Sequence, residues 1–201
     1  MFDGRLRELI DPALNAAARR LARLGASPDA ATLAGLALGL ACAACVAFGQ
    51  DAAALALLAL SRLCDGLDGA LARATRPSDR GGFLDITCDF AFYGAVPLAF
   101  ALRDPQANAL AAAVLLFAFY VNGASFLAFA VMAAKRGLET TQRGAKSLYY
   151  TVGLAEAGET IACFAAMMLF PGWFPMLALG FAALTLVTAA SRAILAWTTL
   201  R

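Results

Sequence analysis

The stretch Cys64–Asp89, "CDGLDGALARATRPSDRGGFLDITCD", holds five aspartates and three arginines, yet it lies between two greasy runs. "AAALALLALSRL" (residues 52–63) leads into it and "FAFYGAVPLAFAL" (residues 90–102) leads out. A carboxylate in hydrocarbon is costly unless something compensates it, so chains rarely place one there without a use for it. Asp65 and Asp68 are three residues apart at the end of the first run, and Asp85 and Asp89 are four apart at the start of the second. Both spacings put a pair on one helix face.

Composition supports the apolar setting. Of 201 residues, 62% are hydrophobic and 15% charged, with a mean hydropathy of +0.72. Soluble domains carry about 25% charged residues, so the chain reads as an integral membrane protein. A spanning helix needs about 20 mostly apolar residues. Six windows qualify: 30–48, 52–72, 83–102, 107–134, 153–170 and 173–198. The connectors are short and rich in turn formers ("FGQD", "RDPQ", "PGWFP"). The expected fold is all-α, an integral membrane bundle of six transmembrane helices over residues 27–201, forming one catalytic domain.

Residues 1–26 differ. Leu6, Leu9, Ile10, Leu14, Leu21 and Leu24 recur at helical spacing among Arg5, Arg7, Glu8, Arg19, Arg20 and Arg23. This pattern predicts an amphipathic helix on the membrane surface. No uninterrupted apolar core of a signal peptide is present in it. Ser27 before Pro28 reads as the cap of the first span.

The basic residues set an orientation. With the N-terminus inside, 13 of the 16 lysines and arginines fall on inner segments and only Arg103 in an outer loop. The positive-inside rule then places both termini and the aspartate stretch on the cytoplasmic side. Arg62 and Arg192 fall within spans. A net charge of +2 leaves no basic face for a nucleic acid.

The five cysteines lie in apolar segments and read as small packing residues, the Cys42–Cys45 pair included. No histidine is present, so acid–base work falls to carboxylates. Four carboxylates converging from two helices would repel unless cations sat between them. Oxygen-only ligands suit Mg²⁺ or Mn²⁺, and carboxylates bridging two such ions serve displacement at phosphorus. Gly69, Ala72, Gly81 and Gly82 leave room beside the backbone, and Arg73 can clamp a phosphate. An ion pair or snorkelling accounts for one acidic residue at a span end, but not for four at two helical spacings with these small residues.

The string D-x-x-D-G-x-x-A-R, seven residues, then G-x-x-x-D-x-x-x-D stands complete as Asp65, Asp68, Gly69, Ala72, Arg73, Gly81, Asp85 and Asp89. It resembles the signature of the CDP-alcohol phosphotransferases, and the six spans behind a surface helix are also similar to that family. The resemblance implies transfer of a phosphatidyl group from CDP-diacylglycerol, or a related CDP-linked donor, to an alcohol with release of CMP. It implies that Asp65, Asp68, Asp85 and Asp89 hold two divalent ions and that Asp89 is the general base. Asp65, Gly69, Ala72, Arg73 and Gly81 would hold the CDP moiety. The metals would neutralise the diphosphate and the charge that develops as the alcohol attacks. It further implies a homodimer, which the Gly and Ala content of the spans permits.

Acceptor choice belongs to residues outside the signature. Glu156 and Glu159 could bind polyol hydroxyls or an amine, or could simply charge a helix N-terminus. Arg192, within the last span, could meet a phosphorylated acceptor. Lys135, Arg136, Arg143 and Lys146 are expected in an inner loop regardless. Arg62 is expected to pair within the bundle, and Asn122 could hydrogen-bond a neighbouring helix. "SPDAATLAGLALGL" and the paired glutamates resemble the inositol-phosphate-using branch more than the glycerophosphate branch. The expected acceptor is a polar alcohol such as inositol phosphate, with glycerol 3-phosphate or an amino alcohol as alternatives. A cation transporter is the rival class, but it would want carboxylates near the midplane and an inverted repeat.

Overall fold

The computed structural model describes residues 2–137 and 157–200 of the chain, and these form helices joined by short connectors with no strand among them. Seven α-helices follow one another: α1 (Phe2–Arg23), α2 (Pro28–Ala47), α3 (Asp51–Ala74), α4 (Asp79–Arg103), α5 (Pro105–Lys135), α6 (Ala157–Leu169) and α7 (Phe174–Thr199). A single 3-10 turn, Pro171–Trp173, precedes α7.

Local chemistry sets the boundaries. Ser27 accepts a hydrogen bond from the Ala30 N–H at 3.2 Å, with Pro28 at the first helical position of α2. Ser78 does the same for α4 through the Gly81 N–H at 3.0 Å, and Asp104 for α5 through the Ala107 N–H at 3.1 Å. The turns after α1 and α2 pass through Gly25 (φ 84°) and Gly49 (φ 74°), left-handed positions that suit a residue without Cβ.

Among the described residues, four helical segments are long and apolar enough to cross a membrane: α2, α4, α5 and Pro171–Thr199. The chain is an integral membrane protein. The helix expected over residues 52–72 is present as α3, but it carries Arg62, Asp65, Asp68 and Arg73 in its second half. Only 13 residues of the window expected over 153–170 form the described α6.

Lipid tails provide no hydrophobic drive for one helix to prefer another, so close contact relies on small residues and interlocking rings. α2 packs between α3 and α4, α5 packs on α4 and α7, and α6 lies against α3. Phe164 of α6 meets the rings of Phe92, Tyr93 and Phe119 at centroid distances of 5.9, 6.3 and 6.2 Å. Phe100 stacks on Phe174 at 4.3 Å.

The N-terminal segment is a helix, as its periodicity predicts, and part of its apolar face has a protein partner. Leu14, Ala18, Leu21 and Ala22 of α1 pack on Leu67, Ala70 and Leu71 of α3. Gly66 permits the approach, because a Cβ there would come within 2.9 Å of Leu14 Cδ1.

A candidate metal centre between two antiparallel helices

α3 and α4 run antiparallel, joined by the four residues between Ala74 and Asp79. Thr75 closes α3, its N–H and its hydroxyl both donating to the Leu71 carbonyl at 2.9 and 2.8 Å. The tight turn brings the second half of α3 against the first half of α4. One oxygen each from Asp65, Asp68 and Asp85 then lies within 4.8 Å of the others. At that separation each ionised pair repels by about 3 kcal/mol even at an effective dielectric of 20. Three hard oxygen donors this close therefore fit a divalent cation such as Mg²⁺ or Mn²⁺.

Asp68 is the most buried of the three, at 6% exposure, and its partner comes from α2. Thr32 Oγ1 donates to Asp68 Oδ2 at 2.7 Å. Sequence reasoning missed Thr32. A threonine four residues after Pro28 in an apolar helix reads as bonding its own backbone, and it does contact the Pro28 carbonyl at 3.1 Å.

Asp89 stands apart from the three-oxygen group, in contact with Arg62. The Arg62 Nη1 donates to Asp89 Oδ1 at 3.2 Å and lies 3.6 Å from Asp65 Oδ1. Nη2 donates to Ser61 Oγ at 3.1 Å, whose own hydroxyl donates to the Gly35 carbonyl of α2 at 2.7 Å. The guanidinium carbon sits 4.6 Å from the centre of the Phe92 ring, within cation–π range. Arg62 thus pairs inside the bundle, as its spacing from Asp65 leads one to expect. Thr32, Arg62, Asp65, Asp85 and Asp89 line one common pocket.

The other signature residues spread away from this pocket along the same end of the bundle. Arg73 is exposed, and its Nη2 donates to Asn15 Oδ1 of α1 at 3.4 Å. A Cβ on Gly69 would meet the Arg73 guanidinium at 3.4 Å, so these two are neighbours, with Ala72 half-buried beside them. Gly81, in the first turn of α4, faces Ser78 and the Asp29 carboxylate of α2. Asp29 is in turn paired with Arg80, whose Nε is 3.1 Å away. Asp29 is the second residue that sequence reasoning passed over, since an acid in a helix first turn is ordinary.

Of the expected acceptor residues, Arg192 is buried in α7. Its Nη1 donates to the Asn122 carbonyl at 3.0 Å, to Asn122 Oδ1 at 2.9 Å and to Ser125 Oγ at 2.9 Å. Asn122 does bond a neighbouring helix, through this arginine. Glu159 is half-buried in the first turn of α6. Lys135 and Arg136 are exposed at the end of α5, and Arg143, Lys146 and Glu156 lie outside the described residues.

A profile of the CDP-alcohol phosphatidyltransferase family matches residues 26–199. The chain belongs to this family. It is 46% identical over 192 residues to the inner membrane protein YnjF of Escherichia coli, spanning 96% of this chain and 93% of that one. Its fold resembles crystal structures of the Mycobacterium tuberculosis phosphatidylinositol phosphate synthase PgsA1. The form with CDP-DAG bound superposes with a TM-score of 0.73 at 22% identity, covering 92% of this chain and 94% of that one. The complex with manganese and citrate gives 0.65 at 23% identity, covering 92% and 89%. At these identities the likeness is one of fold. Within this CDP-alcohol phosphatidyltransferase relative, α3 and α4 carry the complete aspartate string, and α2 contributes the threonine that steadies it.

Proposed function

We propose that the chain transfers a phosphatidyl group from CDP-diacylglycerol, or a related CDP-linked lipid, to the hydroxyl of a polar alcohol, releasing CMP. The observation that carries this reading is the gathering of Asp65, Asp68 and Asp85 oxygens within 4.8 Å of one another on the signature helices. Family membership and the PgsA1 fold with CDP-DAG or manganese bound support it.

Two divalent ions, Mg²⁺ or Mn²⁺, held by Asp65, Asp68 and Asp85 and, for the second, Asp89, would neutralise the diphosphate and the charge that develops at phosphorus. In this reading Asp65, Gly69, Ala72, Arg73 and Gly81 receive the CDP moiety. Thr32 fixes the orientation of Asp68. Asp89 takes the acceptor's hydroxyl proton. The acceptor oxygen bonds the lipid-side phosphorus, the bond from that phosphorus to the bridging oxygen breaks, and CMP departs with that oxygen. A site at the ends of helices serves a lipid-linked diphosphate, because its head is polar and its tails are apolar.

The proposed acceptor is a polar alcohol, with inositol phosphate ahead of glycerol 3-phosphate or an amino alcohol, and Glu156, Glu159 and Arg192 as its binding residues. The fold likeness to a phosphatidylinositol phosphate synthase supports that order. The same reading gives the chain six spans in one catalytic domain over residues 27–201, and a membrane-surface helix over 1–26. It has both termini and the site at the cytoplasmic face, and two copies in a homodimer.

Purified protein in detergent, given CDP-diacylglycerol, Mg²⁺ or Mn²⁺ and a panel of inositol phosphate, glycerol phosphate, serine, ethanolamine and inositol, tests the proposal. The expected result is metal-dependent CMP release with one acceptor. No release with any acceptor from folded, metal-loaded protein would overturn it.

A further inference from the structure

Arg62, like Thr32, belongs to the site but not to the family signature, and its surroundings differ from those of an arginine that merely ties helices together. Its Nη1 is shared between two acids, 3.2 Å from Asp89 and 3.6 Å from Asp65. The rest of the group is clamped: Ser61 accepts from Nη2, and Phe92, which is fully buried, lies against its face. Its Nε is buried with no hydrogen-bond partner among the described residues. A buried donor left unmade is a standing cost, so attraction to the acids must offset it.

The position is specific. On antiparallel helices, Arg62 precedes Asp65 by one turn and Asp89 follows Asp85 by one turn, so the two make up an inner layer, each about 5 Å further into the bundle than that aspartate on its own helix. A guanidinium, always charged, then sits where a second divalent ion would also seek the Asp89 carboxylate.

We propose that Arg62 is a resident counter-ion of the site, a positioning residue that holds Asp89 in the inner layer and limits how tightly divalent ions bind beside it. In the metal-free protein it supplies part of the positive charge the acids require. In the metal-bound protein its charge opposes that of the ion nearest Asp89. This rests on the reading that the aspartates bind divalent ions.

Mn²⁺ titration of the full-length protein in detergent, followed by electron paramagnetic resonance of the free ion, tests it alongside thermal unfolding with and without Mn²⁺. Arg62→Met removes the charge, and Arg62→Gln removes it while keeping a donor for Asp89; whichever of the two folds serves as the neutral variant. Either is expected to bind Mn²⁺ on the order of tenfold more tightly, or to take up one more ion per chain, because a nearby like charge has gone. Its metal-free melting temperature is expected to fall below that of the native protein, and saturating Mn²⁺ to close the gap. Arg62→Lys is expected to return the binding curve toward the native one. A neutral variant whose Mn²⁺ curve matches the native curve, or is weaker, overturns the inference while leaving the metal centre standing. A native protein that takes up no Mn²⁺ removes both.

Discussion

Thr32 has one proton and two acceptors in reach, and the shorter contact goes to Asp68 rather than to its own helix. That bond fixes one lone pair of a buried carboxylate that has an oxygen within 4.8 Å of those of Asp65 and Asp85. Partners of metal-binding carboxylates typically account for 10–100-fold in metal affinity. Thr32→Val, which keeps the shape and loses the hydroxyl, is therefore expected to weaken Mn²⁺ binding by roughly that factor. The titration that tests Arg62 also reads this, with the sign reversed: Thr32 helps the ions and Arg62 resists them. Asp89→Asn addresses the base. It keeps an acceptor for Arg62 but no basic carboxylate, and CMP release is expected to fall by about 10²–10⁴-fold with the melting temperature little changed. Full activity in that variant would move the base elsewhere.

At the scale of elements, the site depends on how closely α2 lies across α4. A Cβ on Gly39 would come within 2.6 Å of the Phe92 ring, which is fully buried and underlies Arg62. The ring cannot turn aside into lipid. Gly39→Ala is expected to cost about 1–3 kcal/mol, read as a lower unfolding midpoint. Adding Phe92→Leu should recover part of that loss, and an unaffected midpoint in the single variant would show that α2 can slide. Much of this scale was legible in the sequence. The D-x-x-D and D-x-x-x-D spacings place both acidic faces correctly on α3 and α4, because helical period and a short connector leave few ways to pair them. The seating of α1 on α3 was not. Leu14, Ala18 and Leu21 look alike whether lipid or a helix covers them, and Gly66 between two aspartates carries no sign of the Leu14 it admits. Thr32 and Asp29 were hidden for a related reason: each has an ordinary local role that its sequence neighbours already explain. Arg62 was legible only as a partner for nearby acids; its contacts with Ser61 and Phe92 depend on how three helices meet.

Across the whole molecule, the charges divide between the two ends of the α3–α4 pair. The signature end gathers like charges that push the helices apart in the absence of cations. At the other end, Asp51 at the start of α3 accepts from Arg103 at the end of α4 through both oxygens, at 2.6 and 3.1 Å. This two-pronged pair is about three-quarters buried on both sides and closes the end of the bundle away from the site. It is placed to hold α3 and α4 in register while the acids at the opposite end exchange ions. Breaking it should therefore loosen the bundle without touching the chemistry. Arg103→Ala is expected to destabilise the protein by about 1 kcal/mol, the upper range for a partly exposed pair, and to leave the Mn²⁺ curve unchanged. The charge-reversed pair Asp51→Arg with Arg103→Asp should restore most of the midpoint. Equal loss of Mn²⁺ affinity in Arg103→Ala would mean instead that the two ends are coupled along α3 and α4, and that the register set at Asp51 reaches the carboxylates.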